Sequence, residues 1–232
     1  RFDGVNFENY TTEDGLALNG VRALHEDSHG NIWMGHTGGG ITRFDGKNFE
    51  IFPHSDFVLF KSDVTSIIED KEGLLWITTS SSGTVSIWDP DAPIEEIKYE
   101  QYSGKRLSDR VFYSVQTRDS SLYFITDIGI KKYDRANNDF LNFNLEKLPM
   151  YFQITSMIED AKGDWWFGTF NGGLYRYDRS LDSVFIFDVR DGLPSNFIST
   201  LATDSKGNVW VGTWQRGNWT GGIARFSPEG QM

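Results

Sequence analysis

The sequence predicts an all-β protein, a β-propeller built from four-stranded antiparallel blades. An aromatic recurs at Trp33, Trp76, Tyr123, Trp166 and Trp210, at spacings of 43, 47, 43 and 44 residues. Twelve positions before each stands a β-branched residue: Val21, Val64, Val111, Ile154 and Ile198. A second column, an aromatic followed by Asp, occurs at Phe2, Phe44, Trp88, Tyr133 and Tyr177, and returns at Phe226 with Ser227 in place of the acid. A period of this length marks a repeat architecture. Short segments rich in Val, Ile, Phe, Tyr and Trp, separated by Gly, Asp, Asn and Ser, give four strands per period and exclude a helical repeat.

The period divides the chain into blades at about residues 21–63, 64–110, 111–153, 154–197 and 198–232, preceded by the end of another blade, or a closing one, in 1–20. In the fourth unit the strands are expected at Ile154 to Glu159, Asp164 to Thr169, Gly173 to Asp178 and Val184 to Phe187. The first strand carries apolar or small residues on both faces and should be buried on both sides, whereas the fourth alternates and should lie outermost. Between the first two strands stand Asp27-Ser-His-Gly30, Asp70-Lys-Glu-Gly73, Asp160-Ala-Lys-Gly163 and Asp204-Ser-Lys-Gly207. Asp opens such a turn by accepting backbone N–H bonds, and Gly takes the positive φ that follows. One carboxylate per turn is too few for calcium, which needs six to eight oxygens. The third unit reads Arg118-Asp-Ser-Ser121, without Gly, and a different turn is expected there.

Composition narrows the function. Against 22 Lys and Arg stand 33 Asp and Glu, a net charge of −11, which argues against nucleic acid as a partner. The longest apolar runs are a few residues, so this segment predicts no membrane-inserting helix. There is no Cys, hence no disulfide and no thiolate metal site, and the redox compartment stays open. The chain opens on Arg1 and reads as an excerpt or processed product of something longer. If the residues around Val5 to Tyr10 supplied the missing fourth strand of the last unit, they would seal a five-bladed ring; the slice of a larger propeller is the favoured alternative.

Gly192-Leu-Pro-Ser-Asn-Phe-Ile198, Asp204-Ser-Lys-Gly-Asn-Val-Trp-Val-Gly-Thr213 and Gly221-Gly-Ile-Ala-Arg-Phe226 together resemble the two-component regulator propeller repeat, as do Gly15 through Phe44 and Ile154 through Asp178. The resemblance covers nearly the whole chain and is weakest in the third unit. It implies the extracytoplasmic sensor region of a membrane-bound signalling protein, often a hybrid histidine kinase, placed on the periplasmic or extracellular side of a bacterial membrane and sensing glycan fragments or other extracellular ligands. Kinase, receiver and DNA-binding segments are not among these residues. The lone Trp88-Asp89 does not make a WD40 protein, and the Asp-to-Gly spacing of three in the turns differs from the two of a sialidase Asp-box.

No Gly-x-Ser-x-Gly, His-Glu-x-x-His or phosphate loop is present. Carboxylate pairs such as Glu26-Asp27, Glu69-Asp70 and Glu159-Asp160 recur with the repeat and therefore mark scaffold. No cofactor or metal site is expected. Of four His residues, His25 and His29 lack obvious partners; His36 replaces the Thr of the other units, as a surface substitution or a ligand contact. The fifth unit has Thr213 to Gly222 where the fourth has only Thr169 to Gly173, an insertion of five residues. It holds Trp214, Gln215, Arg216, Asn218 and Trp219, a set suited to stacking on sugar rings and bonding hydroxyls, or to anchoring a protein. The connections 53–63, 103–110 and 144–153 emerge on the same face and bring Lys61, Lys105, Arg106, Arg110, Tyr151 and Gln153.

The sequence thus reads as a non-catalytic sensor or recognition propeller. Its expected partner is an extracellular small molecule or oligosaccharide, or a second propeller copy, and its candidate binding residues are His36, Arg106, Tyr151, Trp214, Gln215, Arg216 and Trp219. A propeller lyase or hydrolase would need His, Glu or Tyr converging at the first strands, where Ala23, Ser66, Ser156 and Thr200 stand instead. A structural or dimerising module is the other alternative.

Overall fold

A computed structural model describes residues 1, 5–52, 62–80, 85–92, 98–100, 111–143, 148, 153–214 and 221–231. The protein is all-β, made of five antiparallel β-propeller blades. The chain divides into two compact units, residues 1–111 and 112–232. The first unit holds β1 (Val21–Glu26), β2 (Ile32–His36), β3 (Ile41–Phe44) and β4 (Phe49–Phe52) in one sheet, and β5 (Val64–Glu69), β6 (Leu75–Thr79), β7 (Val85–Trp88) and β8 (Lys98–Glu100) in the next. The second unit, with Val111 at its boundary, holds β9 (Val111–Gln116), β10 (Leu122–Thr126), β11 (Gly129–Asp134) and β12 (Asp139–Phe143); then β13 (Ile154–Glu159), β14 (Trp165–Thr169), β15 (Leu174–Asp178) and β16 (Ser183–Phe187). Its last sheet has three strands, β17 (Ile198–Thr203), β18 (Val209–Trp214) and β19 (Gly221–Phe226). In each sheet the strands lie side by side in chain order, as tight turns between antiparallel neighbours require. The fourth unit's strands fall within one residue of those expected.

The turn before each second strand does more than reverse the chain. Asp27 Oδ1 accepts from the N–H groups of His29 and Asn31 at 3.0 and 2.8 Å, while Oδ2 accepts the indole N–H of Trp33 at 2.8 Å. The indoles of Trp76, Trp166 and Trp210 donate likewise to Asp70, Asp160 and Asp204 at 2.8, 2.7 and 2.9 Å. Each carboxylate thus pins the turn to the ring that fills the sheet interface. Burial pushes the Asp27 carboxyl up, but donors from Asn31, Trp33 and the backbone outweigh it and hold the group below the usual range.

The third unit corrects the expectation of a different turn. Six residues before Tyr123 stands Thr117, and the bonds Thr117 N to Ser121 O (2.9 Å) and Ser120 N to Thr117 O (2.8 Å) match Asp27 N to Asn31 O (2.9 Å) and Gly30 N to Asp27 O (3.0 Å). Ser120 takes φ +63°, close to the +82° of Gly30. The backbone turn is the same, with Thr117 and Tyr123 in place of Asp and Trp, and Asp119 supplies the carboxylate, its Oδ1 accepting from Ser121 N at 3.0 Å and Thr117 Oγ1 at 2.6 Å.

The first strands do not behave uniformly as expected. β5 is largely buried, but β1 and β17 expose most of their residues. The first strand is an edge strand in every sheet, whereas the second is flanked on both sides, and β6, β10 and β14 are buried throughout. Four of the first strands also carry an irregularity at their second residue, at Arg22, Thr65, Thr155 and Ser199, where two residues oppose one.

Neighbouring sheets within each unit lock through the two aromatic columns. Trp33 stacks on Phe52 (centroids 5.7 Å apart) and meets Trp88 of the next sheet edge-on at 5.2 Å; Trp166 packs on Phe187 at 6.0 Å and Phe226 of the next sheet at 5.1 Å. The first residue of the following sheet drops into a glycine slot: a Cβ on Gly35 would lie 2.4 Å from Val64 Cγ1, and one on Gly168 2.6 Å from Ile198 Cγ2. Polar clamps seal the seam, with the Glu69 carboxylate accepting from Ser28 N (2.6 Å) and Oγ (2.8 Å), and Glu159 accepting from Arg118 N at 2.6 Å.

Trp166→Ala, which empties a site only 1% exposed, should cost about 3–5 kcal/mol in a denaturant titration; an unchanged midpoint would contradict this packing. In the third unit, Tyr123→Trp alone should destabilise more than Tyr123→Trp combined with Thr117→Asp, with a coupling of about 0.5–3 kcal/mol in the double-mutant cycle.

Candidate functional site

The turns between second and third strands share a backbone frame with the residue preceding each first strand. The N–H four residues past the column aromatic donates to that residue's carbonyl: Thr37 to Gly20 (2.7 Å), Ser80 to Asp63 (2.9 Å), Phe170 to Gln153 (2.8 Å) and Trp214 to Phe197 (3.1 Å). In the fourth and fifth units a Thr hydroxyl closes the turn. Thr169 Oγ1 accepts from Gly172 N at 3.0 Å and donates to Gly173 O at 2.7 Å, and Thr213 Oγ1 makes both bonds with Gly222 at 3.1 Å. In these four units the frame is the same while the side chain it presents varies through Thr37, Ser80, Phe170 and Trp214; the third unit has Asp127 at the corresponding position in the sequence.

In the fourth and fifth units that side chain is aromatic, and the rings converge. Phe170 meets Phe197 edge-on at 4.8 Å, Phe197 meets Trp214 at 5.6 Å, and Phe170 lies 6.4 Å from Trp214. Phe170 is 37% exposed; Phe197 and Trp214 are half-buried. The connection 188–197 that delivers Phe197 is itself fixed. Asp188 caps a one-turn 3-10 helix (Val189–Asp191) with a reciprocal capping box, Leu193 is buried in the core, and Asn196 Oδ1 accepts from Val189 N at 3.0 Å. The three rings are therefore held on a rigid support rather than on a free loop.

Of the residues expected at the site, Trp214 lies in this cluster. Arg106, Tyr151, Gln215, Arg216 and Trp219 lie outside the described residues, as do Lys61, Lys105, Arg110 and Asn218. Gln153 contributes its carbonyl to Phe170. His36 is placed quite differently: its ring is fully buried, with Nε2 2.8 Å from Thr42 Oγ1, which also accepts from Ala17 N at 3.0 Å. It plugs the seam between β2, β3 and the segment leading into the sheet, and is not a surface substitution. Its Nδ1 makes no well-formed hydrogen bond. Phe170 and Phe197 were not singled out in the sequence. The available signal was the aromatic at 170 in a column that elsewhere holds Thr37, Ser80 and Asp127.

The cluster offers ring faces and edges to a ligand. Among the described residues no three His, Asp or Glu side chains converge in a metal-holding group, and no helix is long and apolar enough to cross a membrane.

The family model described as the two component regulator propeller matches residues 15–38, 59–81 and 192–215. Among solved structures, the chain is similar to the extracellular domain of what is described as a hybrid two component system from B. thetaiotaomicron, with a TM-score of 0.75, 21% identity, and coverage of 97% of this chain and 31% of that one. It is also similar to PorZ, a surface component of the type-IX secretion system of Porphyromonas gingivalis, at a TM-score of 0.62, 17% identity and coverage of 91% and 33%. Virginiamycin B lyase from Staphylococcus aureus gives a TM-score of 0.62 at 13% identity, covering 90% of this chain and 70% of that one. The chain spans about a third of the length of the first two, and at these identities the likeness is one of fold. No curated protein is detectably similar in sequence.

Burial lowers the imidazoles of both His25 and His36, opposed by the Glu69, Asp27 and Glu26 carboxylates in the first case and by the Leu18 backbone in the second. The neutral His25 Nε2 accepts the Glu69 N–H across the sheet seam at 3.0 Å. With folded values depressed, the unfolded chain takes up protons first as pH falls. The stabilisation is complete above about 6.5, the ordinary imidazole value, and is lost as pH drops below it through the lowered folded values. His36→Thr, which installs the residue of the other units, should shrink the loss of denaturation midpoint between about pH 7.5 and 5.5; an identical loss in variant and parent would contradict the assignment.

Proposed function

We propose that the chain is a non-catalytic ligand-recognition segment of an extracytoplasmic sensor, lying on the periplasmic or extracellular side of a bacterial membrane, and that it recognises glycan fragments on the Phe170–Phe197–Trp214 platform. The observation that carries the reading is the convergence of three partly exposed rings on a frame whose copies in the first two units present Thr37 and Ser80. Aromatic faces pack against the C–H faces of sugar rings, while polar groups around them bond the hydroxyls. Gln215, Arg216, Asn218 and Trp219 follow Trp214 directly in the sequence and are the polar and aromatic complement in this proposal. The repeats matched in this chain, and its fold likeness to the extracellular domain of a two component system, support the sensor role. Signal output then belongs to other parts of the protein that carries this segment.

The fold likeness to a lyase keeps an enzyme as the competing reading. It is disfavoured by the platform itself, because a lyase or hydrolase needs a positioned acid or base and the three converging side chains are phenyl and indole rings.

Titration with a panel of neutral and acidic oligosaccharides, followed by tryptophan fluorescence and calorimetry, tests the proposal. At least one class should bind, and Phe170→Ala with Trp214→Ala should weaken it by about tenfold or more, since anchor residues at binding sites contribute about 2 kcal/mol or more. Unchanged affinity in the double variant would move the site elsewhere, and consumption of the oligosaccharide would favour the enzyme.

A further inference from the structure

The seam that carries the three rings has a counterpart in the first unit, and the two differ in charge. Asp63 stands directly before β5, as Phe197 stands directly before β17. Its Oδ1 accepts from Gly38 N at 2.9 Å, and its Oδ2 pairs at 2.8 Å with Arg22, the residue at the irregularity of β1. In the fourth and fifth sheets the places of Gly38, Arg22 and Asp63 are taken by Asn171, Thr155 and Phe197. The frame thus accepts charged side chains, and their absence around the rings is a property of this seam. Residues 153–157, 168–175, 192–203, 209–214 and 221–224 form its two turns, the end of the connection and the strands beneath. They contain no Asp, Glu, Lys, Arg or His, although charged residues make up 24% of the chain. At the start of the connection, Asp188, Arg190 and Asp191 satisfy one another: Asp188 accepts from Arg190 Nε at 3.0 Å, and Asp191 accepts from Asp188 N at 2.9 Å.

Two amides stand beside the rings. Asn171 follows Phe170 in the turn, and Gln153 supplies the carbonyl that holds Phe170 N; both residues are exposed, and among the described residues neither side-chain amide has a hydrogen-bond partner. Asn171 takes φ +72° in a turn of the same length as the one in which Gly38 takes +89°. A side chain is carried there although glycine adopts that conformation without strain. The turn closes without its help, through Gly172 N to Thr169 Oγ1 and Gly173 N to Asn196 O, both at 3.0 Å.

We infer that the platform takes an uncharged saccharide, whose hydroxyls are bonded by the Asn171 and Gln153 amides; this rests on the reading of the three rings as a saccharide site. Ring faces carry negative π density, which favours the weakly positive C–H face of a sugar and disfavours a carboxylate or sulfate. An anion held there would lose its water with no cation among those residues to replace it, on a chain of net charge −11. An ammonium group would equally lack a carboxylate. An amide offers two donors and an acceptor, which matches hydroxyls that both donate and accept.

Titration with neutral, uronate-containing and amino-sugar oligosaccharides of matched length, at low and high salt, tests this by calorimetry and tryptophan fluorescence. Neutral oligosaccharides should bind at least about tenfold more tightly than either charged class, since a charge desolvated without a partner is costly. Their affinity should change by less than about twofold with salt. Asn171→Gly should leave the denaturation midpoint no lower and weaken the neutral ligand by about two- to tenfold, as expected for a lost hydrogen bond, and Gln153→Ala should do the same to affinity. A preference for the uronate class that falls with salt and with Arg216→Gln overturns the inference, as does a preference for amino sugars. In both cases the rings stand as the site if Phe170→Ala with Trp214→Ala still removes binding. Neutral affinity unchanged in both amide variants overturns the role given to the amides. Binding of no class, or binding indifferent to the loss of Phe170 and Trp214, overturns the reading of the rings and this inference with it.

Discussion

The packing of four of the five blades is built on one carboxylate each, that of Asp27, Asp70, Asp160 and Asp204. In a turn of five residues the Asp side chain satisfies two backbone N–H groups with one oxygen and an indole N–H with the other. The first two bonds fix the hairpin between the edge strand and the fully buried strand, and the third holds a large ring at one orientation in the seam. A buried indole N–H without a partner costs about 1–3 kcal/mol, so ring and turn are energetically one object. The third blade shows this by exception, where Thr117 and Tyr123 replace Asp and Trp together and the backbone turn is retained.

Because ring orientation is fixed locally, the sheets can pack by column. A β-branched residue fills a slot opened by glycine, an aromatic from the next sheet closes over the ring, and Glu69 or Glu159 clamps the turn of its neighbour. These contacts need only the adjacent sheet, which is why the glycine slot and the covering aromatic recur between the first and second sheets and between the fourth and fifth.

The blade architecture was legible because those columns must be identical in type and spacing. The parts that were not legible have physical reasons. Composition does not separate the exposed β1 and β17 from the largely buried β5, because all three are edge strands of similar residue types. The irregularity at Arg22, Thr65, Thr155 and Ser199 leaves no mark, since residues of quite different character occupy it. His36 stood out by breaking a column of Thr residues, but the ring answers a local need, reaching Thr42 from a fully buried place. Phe170 went unnoticed for the opposite reason: aromatics are so frequent in the seams that one more in a turn resembles core.

What distinguishes the binding platform from the core is therefore the backbone beneath it, not residue type. The N–H groups of Thr37, Ser80, Phe170 and Trp214 are already committed to the carbonyl before the first strand, so their side chains are released from that duty. Such a position takes Thr37, Ser80, Phe170 or Trp214 with the same backbone bond, whereas the Trp column changes only once, to Tyr123. Recognition can then diversify blade by blade on a scaffold that stays constant. It is strongest where two adjacent blades both present rings and the connection between them, pinned by Asp188 and Leu193, adds Phe197 as a third. On the proposed reading, a ligand on the three rings would touch both sheets at once, and its binding energy would act on the joint between these two blades.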